Sequence, residues 1–226
     1  MHQPTIAHEL LVLCHAPETG RPLVDGTHMA CGVAGAMVAD LALGGHVSID
    51  DDRVTASRRA ATGDSQLDAL LDRVAEQKRP RKVKWWVDKT QSSELRATAL
   101  RSAVNAGLLR HEQGRVLGIF PRNDYYPADP QRREDLRQRM AATLWGRGDH
   151  GDHRVVALLA LCGALGIDAK LFPETPGKQR RRMMKQVTHN DQISRAVALV
   201  IQSVQAATSG AVAAGGGGDG GGGGGG

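Results

Sequence analysis

Aromatic residues make up only 3% of this 226-residue chain. A core must then be built from Ala, Val, Leu, Ile and Met, which suits helices packed through small side chains and disfavours a β-sandwich. Cysteine is also scarce. Cys14, Cys31 and Cys162 stand far apart and form no C-x-x-C pair, which excludes the common zinc and redox frameworks and predicts buried free thiols in a reducing cytoplasm. The longest uncharged apolar run, Val155 to Ile167, falls short of the roughly 20 residues a membrane-spanning helix needs. The start, MHQPTIAHELLVLC, has no basic leader, so a soluble protein without a signal peptide is expected. Catalytic signatures are missing as well: the Gly-containing Thr27 to Gly44 segment holds no G-x-G-x-x-G or G-K-[ST], the chain has no G-x-S-x-G, and Cys14-His15 is an ordinary adjacency. Neither an enzyme nor a cofactor is expected.

Apolar residues of the aliphatic kind are plentiful, and 41% of the chain is hydrophobic, enough for one domain of this length. Met29, Val33, Met37 and Leu41 recur every four residues and predict a helix from Thr27 to Gly44, capped by Thr27. Gly32, Gly35 and Ala36 inside it imply the close approach of a second helix. The apolar stretch from Glu9 to Ala16 is compatible with helix or strand.

His46 to Ile49 and Arg53 to Thr55 read as a hairpin around Asp50–Asp52. Asp64 opens a helix striped by Leu67, Leu70, Leu71 and Val74, Ser93 caps the next, and Asp129-Pro130 opens another. The two short apolar runs on either side of Gln113-Gly114 suggest a second hairpin. Arg154 to Leu165 is apolar nearly all round and should be the most buried helix; Lys178 to Val187 and Gln192 to Ala206 complete the set. From residue 209 the sequence turns to Ala, Val and Gly, so residues 1–208 are read as the domain and 209–226 as a disordered Gly-rich tail.

Charge is unevenly distributed. Lys78, Arg79, Arg81, Lys82 and Lys84 form one basic cluster and Lys178, Arg180, Arg181, Arg182 and Lys185 another; removing these ten cations from the net +5 leaves −5. Localised clusters of this kind attract polyanions, although they also suit solvated helix faces. Asp149, His150, Asp152 and His153 are the one dense group of metal-ligand types. Their glycine-punctuated loop holds no fixed geometry, and Asp152 has a simpler use as a helix N-cap, so no metal is expected.

Read together, LLVL, ETGRPLVDGT, GVAGAMVADLALGGHVSI, ATGDSQLDALLDRV, LRSAVNAGLLRHEQGRVLGIFPR and HRVVALLALCGALG, followed by KLF, resemble the Golgi phosphoprotein 3 family in order and spacing. The resemblance, to a bacterial-type member, implies a mainly α, compact single-domain helical bundle with a protruding β-hairpin near Leu108 to Phe120. It also implies no catalysis, phosphatidylinositol 4-phosphate binding at the cytoplasmic face of a membrane, collection of protein tails, and self-association through the hairpin. Where the family has its lipid-pocket Trp and three Arg residues, this chain has Asp25, Ala34, Ser93 and Arg96, so only Arg96 is kept. That departure predicts weakened recognition of the specific headgroup. What remains is non-specific attraction of anionic phospholipid headgroups to Arg81, Lys82 and Lys84, with Trp85 or Trp86 at the membrane interface. Ranked below these are a winged-helix-like DNA-binding role for Asp64 to Phe120, with Arg96, Arg101 and Arg110 nearby, and a protein-interaction adaptor without lipid binding that engages an acidic partner through the hairpin or Arg180–Arg182.

Overall fold

The computed structural model describes residues 3–58, 60–116, 119–148, 152–189 and 195–214. In chain order its elements are α1 (Ile6–Leu13), α2 (Gly26–Leu43), β1 (Val47–Asp50), β2 (Arg53–Ala56), α3 (Ser65–Ala75), β3 (Arg81–Lys82), α4 (Val83–Thr90), α5 (Ser93–Asn105), β4 (Leu109–Val116), β5 (Phe120–Pro127), α6 (Pro130–Leu144), α7 (His153–Ala164), α8 (Asp168–Leu171), α9 (Gly177–His189) and α10 (Arg195–Ala214). The fold is a mainly α single domain, as its composition predicts.

Helix α2 is the axis of the molecule, packed against α1, α4, α5, α7 and α10. Although α2 is long and apolar enough to cross a bilayer, it is mostly enclosed by these neighbours. Gly35 is where α10 comes closest: a Cβ there would lie 2.3 Å from Val204 Cγ2, so only glycine admits the contact. Helix α7 buries Val155 to Cys162 without interruption, as its all-round apolar sequence requires. Helix α1 is held at its N-terminus from two sides. Thr5 caps it by accepting from His8 N, and Asp40 Oδ2 accepts from Ile6 N at 2.7 Å.

Two small sheets decorate the bundle. Strands β1 and β2 pair antiparallel from Val47↔Ala56 to Asp50↔Arg53, around Asp51 and Asp52 at φ 46° and 64°. Strand β3 adds to β2 through Arg53↔Lys82 and Val54↔Arg81. Strands β4 and β5 form the long hairpin, in register from Leu109↔Pro127 to Val116↔Phe120. The hairpin thus reaches further along the chain than expected, and Gly114 lies within the ladder opposite Arg122 rather than at the turn. The reason is visible in β5: FPRNDYYP has no apolar alternation and mixes strand-favouring Phe and Tyr with Pro, Asn and Asp, so its own pattern does not announce a strand. The hairpin's root is anchored where Tyr125 N donates to Gly20 O at 2.8 Å and the Tyr125 ring stacks between His15 and His111.

Two expectations need correction. The cap of α2 is Asp25 rather than Thr27, and that of α5 is Ser92 rather than Ser93, since in each case the earlier residue has extended backbone and a side-chain oxygen reaching the first turn. Helix α10 runs from Arg195 to Ala214, past residue 208. Residues 215–226, the rest of the expected tail, lie outside the described residues, as do Asp149 and His150.

Candidate anion-binding face

Helices α2 and α5 both point their N-termini into one open cavity of about 670 Å³, lined by Asp25, Gly26, Thr27, Ala30, Asp88, Gln91, Ser92, Ser93 and Arg96. Unsatisfied N–H groups and the macrodipole make a helix start attractive to anions. Arg96 reinforces this. Its guanidinium lies against Gly26, so close that a Cβ at that position would fall 1.4 Å from Nη1. Gly26 is therefore what allows an arginine from α5 to cover the first turn of α2.

The same helix start already holds a carboxylate. Asp25 Oδ1 accepts from Thr27 N at 2.9 Å and His28 N at 3.0 Å, while Oδ2 contacts His28 Nδ1. Burial opposes ionisation of Asp25, but the His28 backbone N–H and the His28 ring outweigh it, so its pKa lies below the usual carboxylate value. His28 is in turn fixed by an Nε2 contact of 3.2 Å with the Thr208 carbonyl. The start of α5 is likewise closed by Ser92 Oγ, which accepts from Leu95 N at 2.9 Å. Asp25 thus takes up the capping N–H groups that an incoming anion would need, and Asp88 adds a second carboxylate at the rim.

The basic segment continues from this cavity along α4, which carries Asp88 near one end and Lys84 near the other. Arg81, Lys82 and Lys84 are exposed, as are Lys78 and Arg79. Trp85 is half-buried, with Arg81 Cζ 5.3 Å from its ring centroid. Trp86 is fully buried and meets Trp85 edge-on, so of the pair only Trp85 reaches the surface. Lys84 pairs with Asp88 at 2.5 Å and Lys82 with Asp52 at 3.7 Å. Both pairs are solvent-exposed and hold the side chains by no more than about 1 kcal/mol, so an anionic surface can compete for them.

The remaining candidates separate in space. Of the four positions aligned with the family's lipid pocket, Asp25, Ser93 and Arg96 line the cavity, whereas Ala34 is buried within α2. In the second basic cluster Arg180 is not available to a partner: it bonds Asp168 Oδ2 at 2.7 Å and the Thr175 carbonyl at 2.8 Å, while Lys178, Arg181 and Arg182 are exposed. Asp152 caps α7 by accepting from Val155 N, and among the described residues no three His, Cys, Asp or Glu side chains gather as a metal site. The cysteines are free and buried. Burial alone pushes the Cys14 thiol up to about 12, which suits packing and not nucleophilic chemistry.

The profile of Golgi phosphoprotein 3 (GPP34) matches residues 6–204, nearly the whole chain. The chain belongs to this family. No curated protein matches it at a significant level. Within the Golgi phosphoprotein 3 family frame, the sequence singles out Arg96 and the basic segment as candidates but not the capping role of Asp25 or the dependence of Arg96 on Gly26. The signal for the first was present, because Asp25 precedes the apolar stripe of α2 and Asp ranks among the best N-caps. The second is a contact between α2 and α5 that no local pattern announces.

Proposed function

We propose that this Golgi phosphoprotein 3 family member is a peripheral, non-enzymatic adaptor that docks on anionic phospholipid at the cytoplasmic face of a membrane, drawn by charge rather than by one headgroup. The observation that carries this reading is the Arg81–Trp85 segment, where three exposed cations precede a half-buried tryptophan covered by Arg81, on the helix whose Asp88 lines the Arg96 cavity. Each cation near an anionic leaflet contributes roughly 1 kcal/mol, and an interfacial Trp adds an amphipathic anchor. Specific phosphatidylinositol 4-phosphate recognition is disfavoured by Asp25, whose carboxylate occupies the α2 start and repels a phosphate monoester.

Self-association belongs to the same reading. Ile119, beside the hairpin turn, is 75% exposed and offers an apolar contact to a second copy.

Vesicle sedimentation across headgroups, at matched salt and with duplex DNA as competitor, tests the proposal. Binding should follow the anionic lipid fraction, fall with salt, and drop about tenfold or more when Arg81, Lys82 and Lys84 are changed to Gln. Unchanged binding of that triple variant removes the segment from the account. Strong dependence on phosphatidylinositol 4-phosphate would overturn the role given to Asp25. Salt-sensitive DNA binding that outcompetes vesicles would favour the DNA-binding reading.

A further inference from the structure

A smaller cavity of about 210 Å³, sharing no residue with the α2–α5 site, opens where α6 meets α1 and the entry to the long hairpin. Its apolar wall is Val12, Leu108 and Leu136, and its cations are Arg132, Arg133 and Arg139. Arg133 is unusual among them, being only 8% exposed while its Nε is buried with no hydrogen-bond partner. Among the described residues no carboxylate lies within salt-bridge distance of it. An arginine donor withdrawn from water and left unpaired is costly, and the cost is removed when an anion completes the site. Burial accordingly lowers the Arg133 pKa, and the attraction of Glu18 and Glu134 offsets this only in part.

The two carboxylates that line the same cavity have other partners. Glu9 lies 3.4 Å from Arg154, and Asp129 caps α6 by accepting from Arg132 N at 3.1 Å. Three guanidinium groups against two carboxylates leave the lining itself with one net positive charge, before the neighbouring Glu18, Glu134 and Arg154 are counted. A monoanion balances it, whereas a phosphate dianion would overshoot and face Glu9 and Asp129 directly. The volume suits a carboxylate with a few carbons, and the open mouth leaves room for such a group to sit at the end of a longer molecule.

We propose that this cavity binds a carboxylate monoanion bearing a short aliphatic group, with the Arg133 guanidinium on the carboxylate and Val12, Leu108 and Leu136 against the hydrocarbon. Planar carboxylate and forked guanidinium match in geometry, and the low-dielectric wall strengthens their pairing. The ligand chemistry is common to two sources, a small carboxylic acid and the C-terminus of a polypeptide ending in an aliphatic residue. Both are tested together.

The test follows the Arg133 side-chain Nε–H resonance by NMR while the full chain is titrated with butanoate, butanamide, inorganic phosphate, and an N-acetylated dipeptide ending in valine as free acid or as amide. The expected result is a saturable shift with butanoate and with the peptide acid, and none with either amide. Phosphate should bind about tenfold more weakly than butanoate or not at all. A peptide acid that binds tighter than butanoate assigns the site to a chain terminus, and equal binding assigns it to a small acid. An unmoved Arg133 resonance, equal binding of the amides, or tighter binding of phosphate would each overturn the proposal. Arg133→Met provides the control: the methyl shifts of Leu108 and Leu136 seen with butanoate should vanish in a variant whose circular dichroism is unchanged, and their persistence would exclude Arg133 as the carboxylate's partner.

Discussion

Arg154 is partly and Arg133 almost wholly withdrawn from solvent, and they differ in what surrounds them. Arg154, from α7, meets Asp40 at 2.9 Å, the Pro4 carbonyl at 2.7 Å and Glu9 at 3.4 Å, so its fork is filled from α1 and α2. Arg133, from α6, has an unpartnered Nε and an open cavity beside it. A count of arginines therefore does not find an anion site. What finds it is a guanidinium whose compensation is missing. Arg96 is the intermediate case, open to solvent but with the neighbouring helix start already supplied with the Asp25 carboxylate.

The sharpest way to break this comparison is to remove the filled partner. Arg154→Met should cost about 3–5 kcal/mol in urea unfolding, because the buried Asp40 and the partly buried Glu9 are left without their counter-ion. Next in size is a pH effect from the same network. Burial raises the Asp40 pKa to about 6 even though Arg154 opposes the shift, so the folded protein keeps this proton at a pH where the unfolded chain has lost it. Stability present below the ordinary carboxylate range is thus lost as pH rises through about 6, by about 3 kcal/mol. Asp40→Asn should flatten that part of the unfolding midpoint's pH profile, and an unchanged slope would place the titration elsewhere.

Arg133→Met should act in the opposite direction to Arg154→Met. Replacing an unpaired buried cation by an apolar side chain of similar length should raise stability by about 1–2 kcal/mol, read as a higher thermal midpoint. The smallest change in stability, under about 0.5 kcal/mol, is expected for Asp25→Asn, which keeps a good N-cap and removes the charge. Its effect lies in binding: the Arg96 cavity should gain affinity for inorganic phosphate by about tenfold, measured on the Arg96 side-chain resonance. Adding Gly26→Ala should abolish that gain, since the new Cβ must push the Arg96 guanidinium off the helix start.

Much of the fold was legible from residue order. The four-residue stripe of α2, the Asp64 and Asp129 caps and the all-apolar α7 are local patterns, and each element formed where its pattern lay. Strand β5 was not legible, because Pro, Asn and Asp break its pattern and the pairing with β4 overrides them. The candidate sites were legible only in part. The exposed cations of Arg81 to Lys84 stand out as a run in one dimension, but nothing in PQRREDLRQRM distinguishes Arg133 from Arg132 or Arg137. Those three lie on one helix and diverge in fate: Arg137 bonds Glu134 and Glu174, Arg132 lines a cavity, and Arg133 is buried.

The sequence by itself determined the helical class, the bounds of most helices, the need for small residues along α2 and the basic stretch before Trp85. These follow from side-chain size, periodicity and backbone preference, which act over a few residues. Only the tertiary structure decided which charges are answered and which are not, because compensation depends on approach between residues as distant as Arg154 and Asp40, 114 positions apart. Coulomb energy and desolvation are set by separation and burial in three dimensions, and neither is a property of chain order.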